Sequence, residues 1–322
     1  MNSVINWIAA LSACVTLGAH AAPVHCIAPA KPGGGMAVTC KLVQKGLQLQ
    51  SPAGQEHRVK ISYLPGGIGA VAWNSIVTQR RAEADTLVAF SGGSLMNLAQ
   101  GKYGDADVDN VRWVAALGVD YGMIAVRSDS PYKTLPELLD ALKKNPSKIT
   151  IGAAGTVGSQ DWLKISRLAK LRQIDPKNLR FVALEGGGEA FTALRAGHVQ
   201  VVSGDASEAT LHSLDGEIRV LAVLSEQRLQ GALADVPTAR EQGMDVSWPI
   251  IRGVYMGPQV SDADYKRWVG TFDKMMATPE FDQLRARNGL YPFALSGDKL
   301  TAYIKKTVED YRKQSDQLGL IR

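Results

Sequence analysis

Residues 27–42 read IAPAKPGGGMAVTCKL, and the order of residue types in this stretch sets the pattern for the whole chain. A short apolar run, Cys26 to Pro29, breaks at Lys31-Pro32, passes through Gly33, Gly34 and Gly35, and continues into Met36, Cys40, Val43 and Leu47 at helical spacing. This reads as a strand, a glycine turn and the start of a helix. Glycines let backbone N–H groups come close to a ligand, and a first helical turn presents unpaired donors with a partial positive charge, so an anion fits there. A tight turn without a ligand has the same local sequence, so the rest of the chain has to decide.

The unit recurs. Val59 to Leu64 alternates like a strand and feeds Pro65-Gly66-Gly67-Ile68-Gly69 and a helical run from Ala70 to Arg80. Thr86 to Phe90 feeds Ser91-Gly92-Gly93-Ser94 and a helix ending at Ala99. Val111 to Val126 breaks the rhythm and suits a long strand, or a strand pair, leaving a first domain. Thr134 then caps a helix to Lys144, with Pro136 in its first turn. A second set follows: Lys148 to Gly152 with the turn Gly155 to Gln160 and a helix from Asp161 to Leu171; Arg180 to Leu184 with Gly186 to Gly188 and a helix from Ala190; Val199 to Val202 with Gly204 to Ser207 and a helix from Glu208. Ile218 to Leu224 is a last buried strand, Trp248 to Met256 one extended run, and 262–276, 279–288 and 297–318 are amphipathic helices expected to return to the first domain. Strands alternating with helices in this way imply an α/β fold of mainly parallel sheets with helices on both faces.

A chain of 322 residues, 45% hydrophobic and 21% charged, is long enough for two ordinary domains and has the profile of a soluble globular protein. The net charge of +5 comes from scattered Lys and Arg interleaved with acids, without the basic stripe of a nucleic-acid binder. Residues 1–22 read as a signal peptide, with an apolar stretch from Ile5 to Leu17 and small residues at Ala19, Ala21 and Ala22, which predicts export to the periplasm. Leu11-Ser12-Ala13-Cys14 resembles a lipobox, so a lipid-anchored N-terminus at Cys14 is the alternative. After cleavage Cys26 and Cys40 remain, and an even count in an oxidising compartment predicts a disulfide between them. The histidines show no metal-ligand spacing.

In open parallel sheets ligands bind outside the carboxyl ends of the strands, and six such turns here carry glycines or small hydroxyls. Several helix N-termini, each favouring an anion by roughly 0.3 to 1 kcal/mol, could together hold a multiply charged carboxylate. Catalytic and cofactor fingerprints are missing: there is no G-x-S-x-G, no Walker A sequence, no H-E-x-x-H and no G-x-G-x-x-G with its acid. Asp205, Glu185 and Glu189 lie beside helix starts, where capping explains them better than acid–base chemistry. Arg252 interrupts an apolar run (Trp248, Ile250, Ile251, Val254, Tyr255), and a guanidinium in that setting has a fixed partner, either a structural acid or a ligand carboxylate.

The stretches APAKPGGG (28–35), YLPGGIGA (63–70), AFSGGS (89–94), GTVGSQDW (155–162), EGGGEAFTA (185–193), GHVQVVSGD (197–205) and LADVP (233–237) resemble the periplasmic substrate-binding receptors of tripartite tricarboxylate transporters, the Bug receptor family, over essentially the whole mature chain and closest to its citrate-type members. The resemblance implies a two-lobed periplasmic-binding-protein (Venus flytrap) fold that closes on a di- or tricarboxylate such as citrate and delivers it to membrane permease subunits, as a non-enzymatic monomer without cofactor. Where the family loop commonly runs P-G-G-G-x-D, this chain has Met36-Ala37. The expected ligand-binding set is Gly33, Gly34, Gly35, Ser91, Gly92, Ser94, Thr156, Gly158, Ser159, Gln160, Gly187, Asp205 and Arg252. The expected division is one lobe of residues 23–126 and 229–322 and a second of 127–228, with crossovers near Val126 and Leu224 to Arg228. A secreted α/β enzyme acting on a carboxylated or phosphorylated molecule is the reading from another class, and a sensor input subunit a third.

Overall fold

A computed structural model of the chain describes residues 23–51, 58–213 and 215–320; the leader segment and Cys14 lie outside the described residues. The opening unit is β1 (Val24–Ala28) followed by α1 (Gly35–Gln50). The next two are β2 (Val59–Tyr63) with α2 (Ala70–Thr78) and β3 (Thr86–Ser91) with α3 (Gly92–Ala99). Gly33 takes φ +88°, a left-handed conformation that costs glycine little, and so turns the chain from β1 into α1. Cys26 on β1 and Cys40 on α1 form the disulfide expected from the sequence.

The segment that broke the rhythm is one strand, β4 (Arg112–Arg127), 16 residues long. After it come α4 (Leu135–Lys144), β5 (Thr150–Ala154), α5 (Gln160–Leu171), β6 (Arg180–Leu184), α6 (Gly187–Arg195), β7 (Val201–Asp205), α7 (Ala206–His212) and β8 (Ile218–Leu224). The Thr134 side chain accepts from Glu137 N to cap α4, as its position before Pro136 predicts. The tail forms β9 (Pro249–Met256), α8 (Asp262–Met276), α9 (Pro279–Arg287), a two-residue β10 (Leu295–Ser296) and α10 (Gly297–Gln317).

The strands run β2-β1-β3-β9-β4-β7-β5-β6, with β8 and β10 also paired to β4. β2, β1 and β3 are parallel to one another, as are β6, β5 and β7, which is the parallel arrangement expected of strand–helix repeats. Around β4 the sheet is mixed: β9, β10, β7 and β8 all pair with it antiparallel. Its first part, Arg112 to Tyr121, is bonded to β9, and its second, Gly122 to Arg127, to β7 and β8, so one strand carries both halves of the sheet.

Each half has its own apolar packing. Val38, Leu42, Val43 and Leu47 of α1 are buried against β1, β3, Trp268 and Phe272 of α8, and Phe281 of α9. In the other half Leu135, Leu138, Leu139 and Leu142 of α4 pack on Ile165 and Leu168 of α5 and on Ile151 and Val201 of the sheet. Side chains of this size contribute about 1.5 to 3 kcal/mol each when fully buried. No helix among the described residues is long and apolar enough to cross a membrane.

Candidate functional site

The carboxyl ends of β1, β3, β5, β6 and β7 each release the chain into a helix, and the starts of those helices converge. Ser91 caps α3, its side chain accepting from Gly93 N, and Ser94 returns a bond to Ser91 N. Ser159 caps α5 by accepting from Trp162 N. The N-cap of α1, Gly34, has no side chain for that task. An acid from elsewhere performs it: Glu208 Oε1 accepts from Gly35 N at 2.7 Å. Glu208 stands three residues after Asp205 in the first turn of α7, a D-x-x-E capping spacing, and its other oxygen lies 3.4 Å from Asp205 N.

Beside Glu208 runs a chain of alternating charges. Asp161 Oδ1 accepts from Lys164 Nζ at 2.6 Å, and the same ammonium donates to Asp205 Oδ1 at 2.5 Å and to Gly204 O at 2.9 Å. Asp205 Oδ2 accepts from Arg252 Nη2 at 2.6 Å. Arg252 Nε and Nη2 both donate to Asp120 Oδ2, which also accepts from Ser207 Oγ at 2.6 Å. All five charged side chains are buried. Three acids face two cations before any further acid is counted, and groups so enclosed keep their charge only through such contacts.

Burial alone would raise the Asp205 carboxyl, but Lys164 and Arg252 outweigh it and hold it below the usual carboxylate range. Asp161 is pushed up to about 6 by burial, with Asp205 adding to the push against the pull of Lys164. Glu208 is pushed up to about 8, first by burial and then by Asp205. Burial lowers His212, whose ring stacks on Phe191 and whose Nε2 donates to Gly33 O at 3.1 Å.

These groups enclose a cavity of about 60 Å³ walled from both halves of the sheet. Of the residues expected at the site, Gly34, Gly35, Ser91, Ser94, Ser159, Gln160, Gly187, Asp205 and Arg252 line it. Gly33, Gly92, Thr156 and Gly158 do not: Gly33 backs onto Gly188 and His212, Gly92 faces Tyr311 and Gln160, Thr156 is exposed and 3.3 Å from Lys102 Nζ, and Gly158 packs on Leu320 and Gln100. Arg252, expected to choose between an acid of the protein and one of a ligand, has Nε and Nη2 committed to Asp120 and Asp205, and only Nη1, beside Gly35, makes no bond to a described residue. The wall also holds Asp161, Glu185, Glu208, Asn97 and Ile68. Ile68 sits at φ 50°, ψ 49°, rare for a β-branched residue, and its carbonyl is held by Asn97 Nδ2 and Tyr103 Oη.

Sequence reasoning passed over Asp120, Lys164 and Glu208. The Asp205-x-x-Glu208 spacing was a visible signal for the last, whereas Lys164 on a helix carries no sign that it is buried.

Contacts also join the two halves beside the cavity: Lys31 Nζ to Glu189 Oε1 at 2.9 Å, Gln100 Nε2 to Gly158 O at 2.8 Å, and Gly188 against the backbone of Pro32 and Gly33. Two acceptors on the wall, Gln160 Oε1 and Glu185 Oε2, are buried and accept from no described group. Among the described residues no group of three or more His, Cys, Asp or Glu could hold a metal ion.

Residues 102–320 match the family model described as the tripartite tricarboxylate transporter family receptor. The chain belongs to that family. The receptor is 24% identical over 205 residues to the UPF0065 protein in the gbd 5' region of Cupriavidus necator, covering 64% of this chain and 61% of that one, so the match spans about three fifths of that relative's length. Among solved structures, the periplasmic binding protein BugD superposes with a TM-score of 0.80 at 18% identity, covering 93% of this receptor and 98% of BugD. MatC from Rhodopseudomonas palustris with bound malate gives 0.75, also at 18% identity, covering 90% and 98%. At such identities the likeness shows the fold of the receptor: periplasmic-binding-protein architecture around a mixed sheet flanked by helices. The family is one of solute receptors, not of enzymes.

Proposed function

We propose that the chain is an exported receptor that binds a small organic acid between two lobes and hands it to the permease subunits of a tripartite tricarboxylate transporter. The observation that carries this reading is the cavity itself, into which the starts of α1, α3, α5 and α6 point from both halves of the sheet. The lobes are residues 23–126 with 229–322, and 127–228, and β4 and the segment leading to β9 are where one passes into the other. In this reading 1–22 is removed on export to the periplasm and the receptor acts as a monomer; lipidation at Cys14 would tether it instead.

Citrate heads the ligands to be tested on the citrate-type resemblance, and the malate held by MatC puts four-carbon acids beside it. A cavity of about 60 Å³ in the closed arrangement favours compact acids, since one water needs roughly 10 to 15 Å³ by the same measure. Calorimetry of the purified protein with citrate, malate, succinate, adipate and phosphate tests the reading. Saturable binding of at least one organic acid without its chemical conversion is the expected result, and turnover of any of them would favour the secreted-enzyme alternative.

A further inference from the structure

Between α5 and the last turns of α10 lies a second cavity, of about 270 Å³ against about 60 Å³ for the first, and the two share no wall residue. Gln160 and Asp161, in the first turn of α5, border the first cavity. The rest of that helix turns Trp162, Ser166 and Lys170 to the second, at four-residue spacing, with Leu163 and Arg167 beside them. Gln314 and Leu318, also four apart, face them from α10. α5 packs with α4 in one half of the sheet, whereas Leu300, Ile304 and Val308 fix α10 to the other. An occupant would therefore touch both.

The notch has a cause in the sequence. Ser166 is a small residue between the longer Trp162 and Lys170 on its stripe, and it is buried with a hydroxyl that finds no partner among the described residues. An aliphatic side chain there would fill the space and leave no polar group unpaired, so helix packing alone gives no reason for serine. A cavity of about 150 Å³ admits benzene, so this one has room for about two fused rings. Trp162, Leu163 and Leu318 offer such a body apolar surface, and Leu318 leaves 42% of its own exposed.

The charge on the rim is of one sign. No carboxylate of a described residue lines the groove, although it holds both Arg167 and Lys170. The Arg167 guanidinium lies 4.9 Å from the centre of the Trp248 ring, and its Nη2 donates to Gln314 Oε1 at 3.4 Å. Both partners are neutral, so they orient the fork without cancelling its charge. Lysines elsewhere on α10 are paired, Lys306 with Asp310 and Lys313 with Glu309. A planar fork and an ammonium one turn apart suit a single carboxylate head.

We infer that this groove is a second ligand site, separate from the first cavity, for an amphipathic anion: a carboxylate held by Arg167 and Lys170 on a ring body lying over Ser166 between Trp162, Leu163 and Leu318. The inference uses no residue of the first cavity and does not depend on what binds there.

Naphthoate is the probe and naphthamide its neutral counterpart, titrated by calorimetry into the purified protein, into Ser166→Leu, and into a variant carrying both Arg167→Gln and Lys170→Gln. The parent should bind naphthoate saturably and at least about tenfold more tightly than naphthamide. The double variant, changed only at exposed positions, should bind the two probes alike. Ser166→Leu fills the notch and should weaken both by at least about tenfold. Absence of naphthoate binding to the parent overturns the inference. Equal affinity of the parent for the two probes, or undiminished naphthoate binding by the double variant, does so too. Parental affinity in a folded Ser166→Leu would place the probe elsewhere and has the same consequence; should that variant fail to fold, the double variant decides.

Discussion

Arg252 and Asp120 share two hydrogen bonds to a single oxygen, Nε at 2.9 Å and Nη2 at 2.6 Å, with both side chains almost wholly enclosed. Removing the cation leaves Asp120 and Asp205 buried beside each other without it, and breaking a buried pair from one side typically costs about 3 to 5 kcal/mol. Arg252→Met should therefore lose about that much stability in urea denaturation. Arg252→Lys, which keeps the charge but not the planar fork, should lose less. A parental midpoint for Arg252→Met would mean that the ion pair adds nothing to the fold.

Stability should also fall as the medium turns alkaline. Folded Glu208 holds its proton up to about pH 8, whereas in the unfolded chain a glutamate releases it near about 4.3. Between those values the folded state binds more protons, so the free energy of unfolding decreases as pH rises, by up to about 1.4 kcal/mol per unit. Asp161 acts in the same sense up to about 6. Glu208→Gln has no such proton to lose, so its stability relative to the parent should improve steadily from about pH 5 to 8. Denaturation curves at three pH values decide, and parallel profiles would place the Glu208 pKa near the ordinary value.

Gly188 offers a way to wedge the molecule open. A Cβ there would lie 2.5 Å from Pro32 O and 2.9 Å from Gly33 C, both backbone atoms that cannot step aside. Within α6 alanine is a better residue than glycine, so Gly188→Ala should fold at least as well as the parent. It should nonetheless bind ligand at least about tenfold more weakly and keep a larger radius of gyration at saturation. Equal radii and equal affinities in small-angle scattering and calorimetry would show that the two halves need not meet at this point.

The Cys26–Cys40 bond closes a sequence separation of 14 between two fully buried residues. Loops of about that length are worth around 3 kcal/mol in the chain-entropy model. Native protein should show no alkylatable thiol at either position by mass spectrometry, and full reduction should lower stability by around that amount. Two free thiols before reduction would contradict the pairing.

Most of the fold was legible because its signals are local. The boundaries of β6, β8 and α8 agree with apolar patterning to the residue, and α1, α3 and α6 start on glycines that the sequence marks openly. The antiparallel surroundings of β4 were not legible, because pairing direction depends on where β9 returns, and neither strand states its partner. β10 has two residues and no period to read. At the site, nine of the thirteen expected residues reach the cavity wall, eight of them from the strand-to-helix turns and Arg252 from within β9. Thr156 and Gly158 miss it because the loop of 155–160 is long enough to lean outward over Lys102 and Gln100. Lys164 and Asp120 could not be found from sequence: charged residues on a helix and a strand look solvent-exposed until distant partners enclose them.

Those partners are distant indeed. Arg252 meets Asp120 across 132 residues and Asp205 across 47, while Lys164 meets Asp205 across 41. Long loops close late, after local helices and parallel strand pairs have formed. For a chain that emerges N-terminus first, the glycine turns are all in place while Asp120 and Asp205 still have no guanidinium between them, and the two halves have every reason to stay apart. β9 brings the guanidinium that bridges Asp120 and Asp205, so a chain cut short between residues 213 and 252 would contain every turn of the site and still lack the cation that holds its two acids together.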